Sequence, residues 1–274
     1  MISAERIAAD FSALTQQIVS ARGVAVNSYK RSCLERRIAA RMRARGAESY
    51  ASYARVLRED PAEYDALIDA LTINVTHLFR DTEVWEGVAE RVLPDLWAGN
   101  HATINTWVAG CASGEEAYTV AALWHRFLEA RGEVGMTSRI RITATDLDPD
   151  ALALAAVGEF PRESLRDTPA DVRARYFTPA APHVAAAELR RMITFARGDL
   201  LATAQPPGSV HLITCRNVLI YFDKPSQDAV FRRFREALAP GGYLVIGKAE
   251  AVLGESRLLF DALDHQIRLF RRPM

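Results

Sequence analysis

Three short runs in the sequence place groups capable of chemistry beside flexible backbone. The first is Gly110-Cys-Ala-Ser-Gly114, followed at once by Glu115 and Glu116. Glycines let the backbone turn tightly and approach a ligand closely. Two carboxylates at the start of a helix repel a pyrophosphate, which prefers a bare helix N-terminus, and suit a cationic ligand instead. The spacing is GxxxG and not GxGxxG, and the same residues also serve a sharp strand-to-helix turn that binds nothing. The second run is Thr145-Asp146-Leu147-Asp148-Pro149. An acid at the tip of a second strand commonly holds ribose hydroxyls, about 20 residues beyond the glycines in the dinucleotide fingerprint. Asp146 lies 32 residues beyond Gly114. Asp148, directly before Pro149, suits a helix cap better than Asp146 does. The third run, Cys215-Arg216-Asn217-Val-Leu-Ile-Tyr221-Phe, is an apolar stretch with a polar turn inside it. Tyr221 is either a core ring with a satisfied hydroxyl or a group facing a site.

The elements that must position these runs follow from the hydrophobic pattern. After residue 100, short apolar strands at Ile104–Val108, Ile140–Thr145, Val210–Thr214 and Tyr243–Gly247 alternate with helical segments at Glu115–Ala130, Pro149–Val157 and Ser226–Leu238. This βαβ alternation predicts a mostly parallel, doubly wound sheet, whose ligands sit beyond the carboxyl ends of the strands. All three runs fall at such ends. Gln266–Phe270 reads as a closing strand. Residues 161 to 197 break the rhythm with Pro161, Pro169, Pro179 and Pro182, a helical DVRARYF and two strand-like pieces near His183–Ala187 and Met192–Phe195. They read as an insertion.

Residues 1 to 72 show helical spacing only. Ile7, Phe11, Leu14 and Ile18 form one stripe, closed by Gly23. Leu34, Ile38 and Met42 form a narrow stripe in a helix over Tyr29–Arg45, with Arg36 and Arg43 opposite it and Arg37 to its side. Ser49–Arg58 and Pro61–Leu71 complete a small bundle.

The 274 residues carry 34 basic and 34 acidic side chains, a formal charge of zero. That neutrality hides a division. Residues 22 to 58 hold ten basic residues and two acids, a net +8, which leaves −8 for the rest. Such asymmetry marks a docking surface for an acidic partner or a merely solvated face. No apolar run approaches the length of a transmembrane helix, and MISAERIAAD lacks the features of a signal peptide. Three scattered cysteines without C-x-x-C suggest neither a disulfide framework nor a cysteine metal site, which makes a reducing cytoplasm the simplest home. The six histidines form no i, i+4 pair. His77 reads as a polar loop residue with no carboxylate near it in sequence.

An adenosine-bearing cation with an α-amino group and a sulfonium, S-adenosylmethionine, satisfies both the acids and the glycines. With it, the ordered segments ALTINVTHLFRD (70–81), VAGCASGEEAYTVA (108–121), ATDLDPDAL (144–152), GEFPRESL (158–165), RYF (175–177), GDLL (198–201), CRNVLIYFD (215–223) and APGGYLVIGKAE (239–250) make the sequence resemble the CheR family of chemotaxis-receptor protein-glutamate O-methyltransferases. The resemblance covers nearly the whole chain. It implies an α/β fold with a Rossmann-like S-adenosylmethionine-dependent methyltransferase sheet over 73–274, carrying a small inserted β-subdomain at about 161–197, and preceded by an all-α receptor-docking domain over 1–72.

It further implies that Asn74, Thr76 and Arg80 contact the cofactor, with Arg80 close to the transferred methyl group, and that Glu116 is a cofactor ligand and Asp146 the ribose-binding acid. Asp199, Leu200, Arg216 and Asn217 would line the adenosine pocket, with Asp199 standing where relatives often have Asn. Tyr221, with Arg80, would position the substrate. The implied reaction moves a methyl group from S-adenosylmethionine to a glutamate side chain and leaves S-adenosylhomocysteine. A carboxylate is already ionised at neutral pH, so neither a base nor a metal is expected.

The implied partner is the cytoplasmic helical domain of a chemoreceptor, docked through Arg37, Arg41 and Arg43. The enzyme would be a cytoplasmic monomer recruited to membrane-bound receptor arrays, with no nucleic acid and no membrane insertion. The loop PAAPHVAAAELR (179–190) lacks the glycines that in some relatives hold a receptor's C-terminal peptide. Two other readings compete: a non-catalytic S-adenosylmethionine-binding scaffold, and a nucleic-acid methyltransferase. The second would carry an (Asn/Asp/Ser)-Pro-Pro-aromatic motif where this chain has CRNVLIYF.

Overall fold

The computed structural model describes residues 4–71, 76–203 and 205–274, which form two compact units. The first unit comprises residues up to 73 together with Tyr221–Gln227. Its helices are α1 (Ala4–Arg22), α2 (Arg31–Ala44), α3 (Tyr50–Glu59) and α4 (Ala62–Leu71). Phe11, Leu14 and Ile18 are buried on α1, whereas Ile7, expected in the same stripe, is exposed. On α2, Leu34 and Ile38 are buried. Each boundary has a local cause. Gly46 takes a left-handed φ of +64° past the end of α2, a conformation that costs glycine nothing. Ser49 and Ser52 exchange side-chain and backbone hydrogen bonds in a capping box at the start of α3. The Tyr221–Gln227 segment joins this unit through a bridge between Tyr29 and Phe222, whose rings stack at 5.0 Å.

The second unit holds a seven-stranded sheet. In chain order it contains α5 (Thr82–Gly87), α6 (Leu93–Ala98), β1 (Ile104–Ala109), α7 (Glu115–Ala130), β2 (Ile140–Asp146), α8 (Pro149–Val157), β3 (Glu159–Phe160), α9 (Ala170–Tyr176), β4 (His183–Val184), α10 (Ala187–Arg190), β5 (Ile193–Arg197), β6 (Val210–Cys215), α11 (Lys224–Ala237, entering from the first unit), β7 (Leu238–Ile246), β8 (Asp261–Asp264) and β9 (Leu269–Arg271). The strand order is β5-β2-β1-β6-β7-β9-β8. The first five are parallel; β9 runs antiparallel to both β7 and β8. The chain leaves β1 for β2 on one side and reaches β6 on the other, so the order reverses between β1 and β6, the usual place for a ligand crevice.

The four strands expected from apolar runs are all present. The insertion ends earlier than expected. The piece near Met192–Phe195 is β5, the parallel edge strand of the main sheet, paired from Ile142↔Ile193 to Asp146↔Arg197. An edge strand is covered less completely than a central one, and Ile193 is its one buried residue, so it lacks the unbroken apolar run of a central parallel strand. What remains inserted is α9, α10 and a two-stranded ribbon, β3 against β4, with Phe160 opposite His183. Among the described residues no helix is long and apolar enough to cross a membrane.

Candidate active site

The carboxyl ends of β1, β2 and β6 converge on one constellation of carboxylates. Gly110 and Gly114 take φ of +79° and +96°, and Ala112 between them +46°. Both glycines are also demanded by packing. A Cβ on Gly110 would lie 2.6 Å from Val218, and one on Gly114 2.8 Å from Ala155 of α8. The turn is held from β2: Asp146 Oδ2 accepts from the Ala112 N–H at 2.7 Å, and Oδ1 from the Asp148 N–H at 3.1 Å. Burial pushes the Asp146 carboxyl above the usual aspartate value, against the pull of these amides. Asp148 caps α8 through the N–H groups of Asp150 and Ala151, as its place before Pro149 predicts.

The paired acids at the start of α7 divide their work. Glu115 is 3% exposed and accepts from the Ser113 and Ser164 hydroxyls at 2.7 and 3.0 Å, which ties α7 to the inserted region. Glu116 keeps 13% of its side chain exposed, 3.6 Å from Arg216 Nη1. Burial raises its carboxyl, Arg216 opposes that rise most, Glu250 adds to it and Arg80 also opposes it. The buried thiols of Cys111 and Cys215 feel the same acids. Burial raises both, and Asp146 and Glu116 raise them further. Neither is set up as a nucleophile.

Arg80 sits between two strained residues. Phe79 and Asp81 have φ of +56° and +55°, a region that bulky residues rarely adopt. Such strain persists only where surrounding bonds over-determine it. Here the Leu78 N–H donates to the Ser164 carbonyl at 2.8 Å, the Phe79 N–H to Thr119 Oγ1 at 2.9 Å, and Trp85 Nε1 to the Arg80 carbonyl at 2.9 Å. Asp81 Oδ2 accepts from Arg216 Nη2 at 2.6 Å. Thr76 is half-buried at the start of this loop; Asn74 lies outside the described residues. His77 has the carboxylate partner its local sequence did not suggest. Its ring lies between Asp167 Oδ2 at 2.7 Å and Arg166 Nη2 at 2.8 Å, some ninety residues away, and burial lowers its pKa.

The loop after β6 is fixed by a residue to which the sequence assigned no role. Glu250 is 4% exposed and accepts four backbone N–H groups, from Gly247 (2.5 Å), Asn217 (3.1 Å), Val218 (2.8 Å) and Leu219 (2.6 Å). Asn217 has φ +62°. A Cβ at Gly247 would stand 2.7 Å from the Asn217 nitrogen, so glycine is required there. Glu250 belongs to the run APGGYLVIGKAE, but three of the four amides it serves are more than thirty residues away, beyond the reach of local pattern. Asp199 turns its Oδ1 onto the Leu201 N–H at 2.8 Å, which closes its own turn, and Leu200 is buried.

A nucleoside-bearing cation fits these groups. Asn217 Oδ1 and Arg216 Nε are buried with no hydrogen-bond partner, which is uncommon unless something else satisfies them. Glu116 supplies negative charge 3.6 Å from Arg216.

Tyr221 and the three arginines expected at a docking face belong to the first unit. The Arg37 guanidinium lies 5.8 Å over the Tyr221 ring, and its Nη1 donates to the Ala70 carbonyl at the end of α4. Arg41 is likewise committed. It grips Glu63 through Nε at 2.9 Å and Nη2 at 2.6 Å, and Tyr53 donates to the same carboxylate at 2.7 Å. Glu63 is 2% exposed. Burial would raise its carboxyl, but Arg41, Tyr53 and Arg45 together hold it below the usual glutamate value. Arg36 and Arg43, on the outer face of α2, are exposed.

Comparison with known proteins agrees with this layout. The family described as CheR methyltransferase, SAM binding domain, matches residues 74–268, and the CheR methyltransferase all-alpha domain matches residues 9–72. A chemotaxis protein methyltransferase of Listeria monocytogenes is 31% identical over 89% of this chain and 90% of that protein. One from Klebsiella aerogenes is 32% identical over 88% and 83%. A Rhodobacter capsulatus protein of 104.1 kDa, described as uncharacterised, is 38% identical over 82% of this chain, which spans about a quarter (24%) of that protein's length.

Proposed function

The chain belongs to the CheR methyltransferase family, and from that premise we propose that it transfers methyl groups from S-adenosylmethionine to glutamate side chains on the cytoplasmic helical domain of a chemoreceptor. The observation that supports this reading best is the pair of half-buried carboxylates, Asp146 and Glu116, at the same strand ends as a loop whose Asn217 Oδ1 and Arg216 Nε have no partner in the protein.

S-adenosylmethionine, when bound, supplies a methyl group on a sulfonium, which departs as a neutral thioether. The residues of the chain bind and align. Asp146 holds the ribose hydroxyls with the lone pairs its two amide bonds leave free. Glu116 holds the ammonium end. The 216–219 loop, Asp199 and Leu200 frame the adenine. Asn74 and Thr76 contact the cofactor. Arg80 receives the incoming carboxylate in a charge-assisted hydrogen bond and directs one oxygen along the line of displacement. The nucleophile is ionised at neutral pH, so alignment and exclusion of water carry the rate.

Receptor docking falls to Arg43 and Arg36 on the outer face of α2, with Arg37 and Arg41 supporting that face from within the bundle. The protein works in the cytoplasm, recruited to membrane-bound receptors. The test is incubation with radiolabelled methyl donor and receptor cytoplasmic domains. Base-labile label on receptor glutamates is the expected result. Tight cofactor binding without transfer to any receptor, or label on nucleic acid, would overturn it.

A further inference from the structure

We infer that Arg216 is a positioning residue that locks the Arg80 loop and the Glu116 carboxylate into one arrangement. Its side chain is 1% exposed, and its guanidinium is already occupied on three sides. Nη2 donates to Asp81 Oδ2 at 2.6 Å, Nη1 lies 3.6 Å from Glu116 Oε2, and the plane sits over the Trp85 ring at 4.8 Å. Trp85 in turn donates to the Arg80 carbonyl. One buried cation therefore touches the residue after Arg80, the ring that fixes the Arg80 backbone, and the acid at the start of α7.

The arrangement has a mechanical and an electrostatic consequence. Phe79 and Asp81 are both left-handed. A strained tripeptide keeps its shape only while its flanks are held, and Arg216 is the side-chain partner that holds Asp81. Removing it lets Arg80 wander from the line of methyl transfer. For Glu116, Arg216 is the foremost group opposing the rise in pKa that desolvation causes. Of the other groups acting on Glu116, the Thr214 side chain and Arg80 also favour its charge and Glu250 disfavours it. The thiols of Cys111 and Cys215 stay neutral. Without Arg216, Glu116 takes up its proton at higher pH and loses its hold on a cationic ligand there.

This inference rests on Glu116 binding the ammonium of S-adenosylmethionine, so the experiment includes Glu116→Gln. Affinity for S-adenosylmethionine is measured by calorimetry from pH 5 to 9 for the wild-type chain, Arg216→Met, Arg216→Lys and Glu116→Gln, with turnover on a receptor domain at saturating cofactor and melting temperatures as a check on folding. Arg216→Met should weaken binding at neutral pH about tenfold and move the acidic limb of the affinity profile up by about one pH unit. Arg216→Lys keeps the charge without the forked reach. It should leave the limb near its wild-type position while kcat falls at least tenfold.

Loss of affinity in Arg216→Met with an unmoved limb would reduce Arg216 to packing. Wild-type kcat in Arg216→Lys would remove the lock on Arg80, and this variant carries the test if Arg216→Met fails to fold. Undiminished binding by Glu116→Gln would instead strike at the cofactor-site reading, and take this inference down with it.

Discussion

At the scale of single residues, the acids and the arginines differ in how legible they were. Glu116 and Asp146 stand out in sequence because an acid at a strand tip or helix start is defined by its neighbours. The arginines are defined by partners far along the chain: Arg41 by Glu63, twenty-two residues on, and Arg216 by Asp81, 135 residues back. Basic spacing on a helix therefore could not tell a docking cation from a bundle staple. The structure separates the paired Arg41 from the exposed Arg43, and the consequence is measurable. Arg41→Ala strips a buried carboxylate of its bidentate partner and should cost about 1–3 kcal/mol of stability in urea titration. Arg43→Ala should leave stability unchanged within about 0.5 kcal/mol and instead raise KM for the receptor domain. The reverse pattern would return Arg41 to the docking face. Arg80→Ala, by contrast, should lower kcat about 10²-fold or more with a smaller change in cofactor affinity, read in single-turnover methylation. Unchanged kcat would take Arg80 out of the reaction.

At the scale of elements, the parallel strands and their helices could be read because a central strand is apolar on both faces and a capped helix announces its start. Strand β5 could not, since an edge strand is only half covered. The turn after β6 was visible as a motif, but its cause was not. A carboxylate thirty residues later, Glu250, gathers four N–H groups of that turn and of Gly247. Glu250→Gln keeps the volume but turns an amide NH2 toward amide donors. Leaving two of these buried N–H groups unanswered should cost about 2–4 kcal/mol, seen as a lower urea midpoint. S-adenosylmethionine affinity should fall with it, because Asn217 rides on the same turn. Wild-type affinity in a destabilised Glu250→Gln would mean that the turn does not frame the ligand.

At the scale of the whole molecule, zero net charge conceals two opposite uses of buried acids. In the first unit Glu63 is held below the ordinary glutamate value, so its contribution is present above about 4.5 and is lost as pH falls through its lowered pKa. In the second unit Glu115, Glu116, Asp146 and Glu250 are all raised, with burial the foremost cause. For these the sign reverses. Their contribution is fully present below the ordinary carboxylate value and is lost as pH rises through the raised pKa. Two variants test the contrast. Glu116→Gln, without cofactor, should melt above wild type at pH 7, and the gap should close as pH falls below about 4.5 and the wild-type carboxyl takes up its proton. Glu63→Gln should melt below wild type at pH 7, and that gap should close only at still lower pH, as the wild-type carboxyl passes its lowered pKa. All four tryptophans, Trp85, Trp97, Trp107 and Trp124, lie in the second unit, so their fluorescence assigns the first shift to it, while far-UV dichroism registers both. A Glu116→Gln protein less stable than wild type at neutral pH would mean that the carboxylate is held by the fold for its own sake and is not kept charged for a ligand.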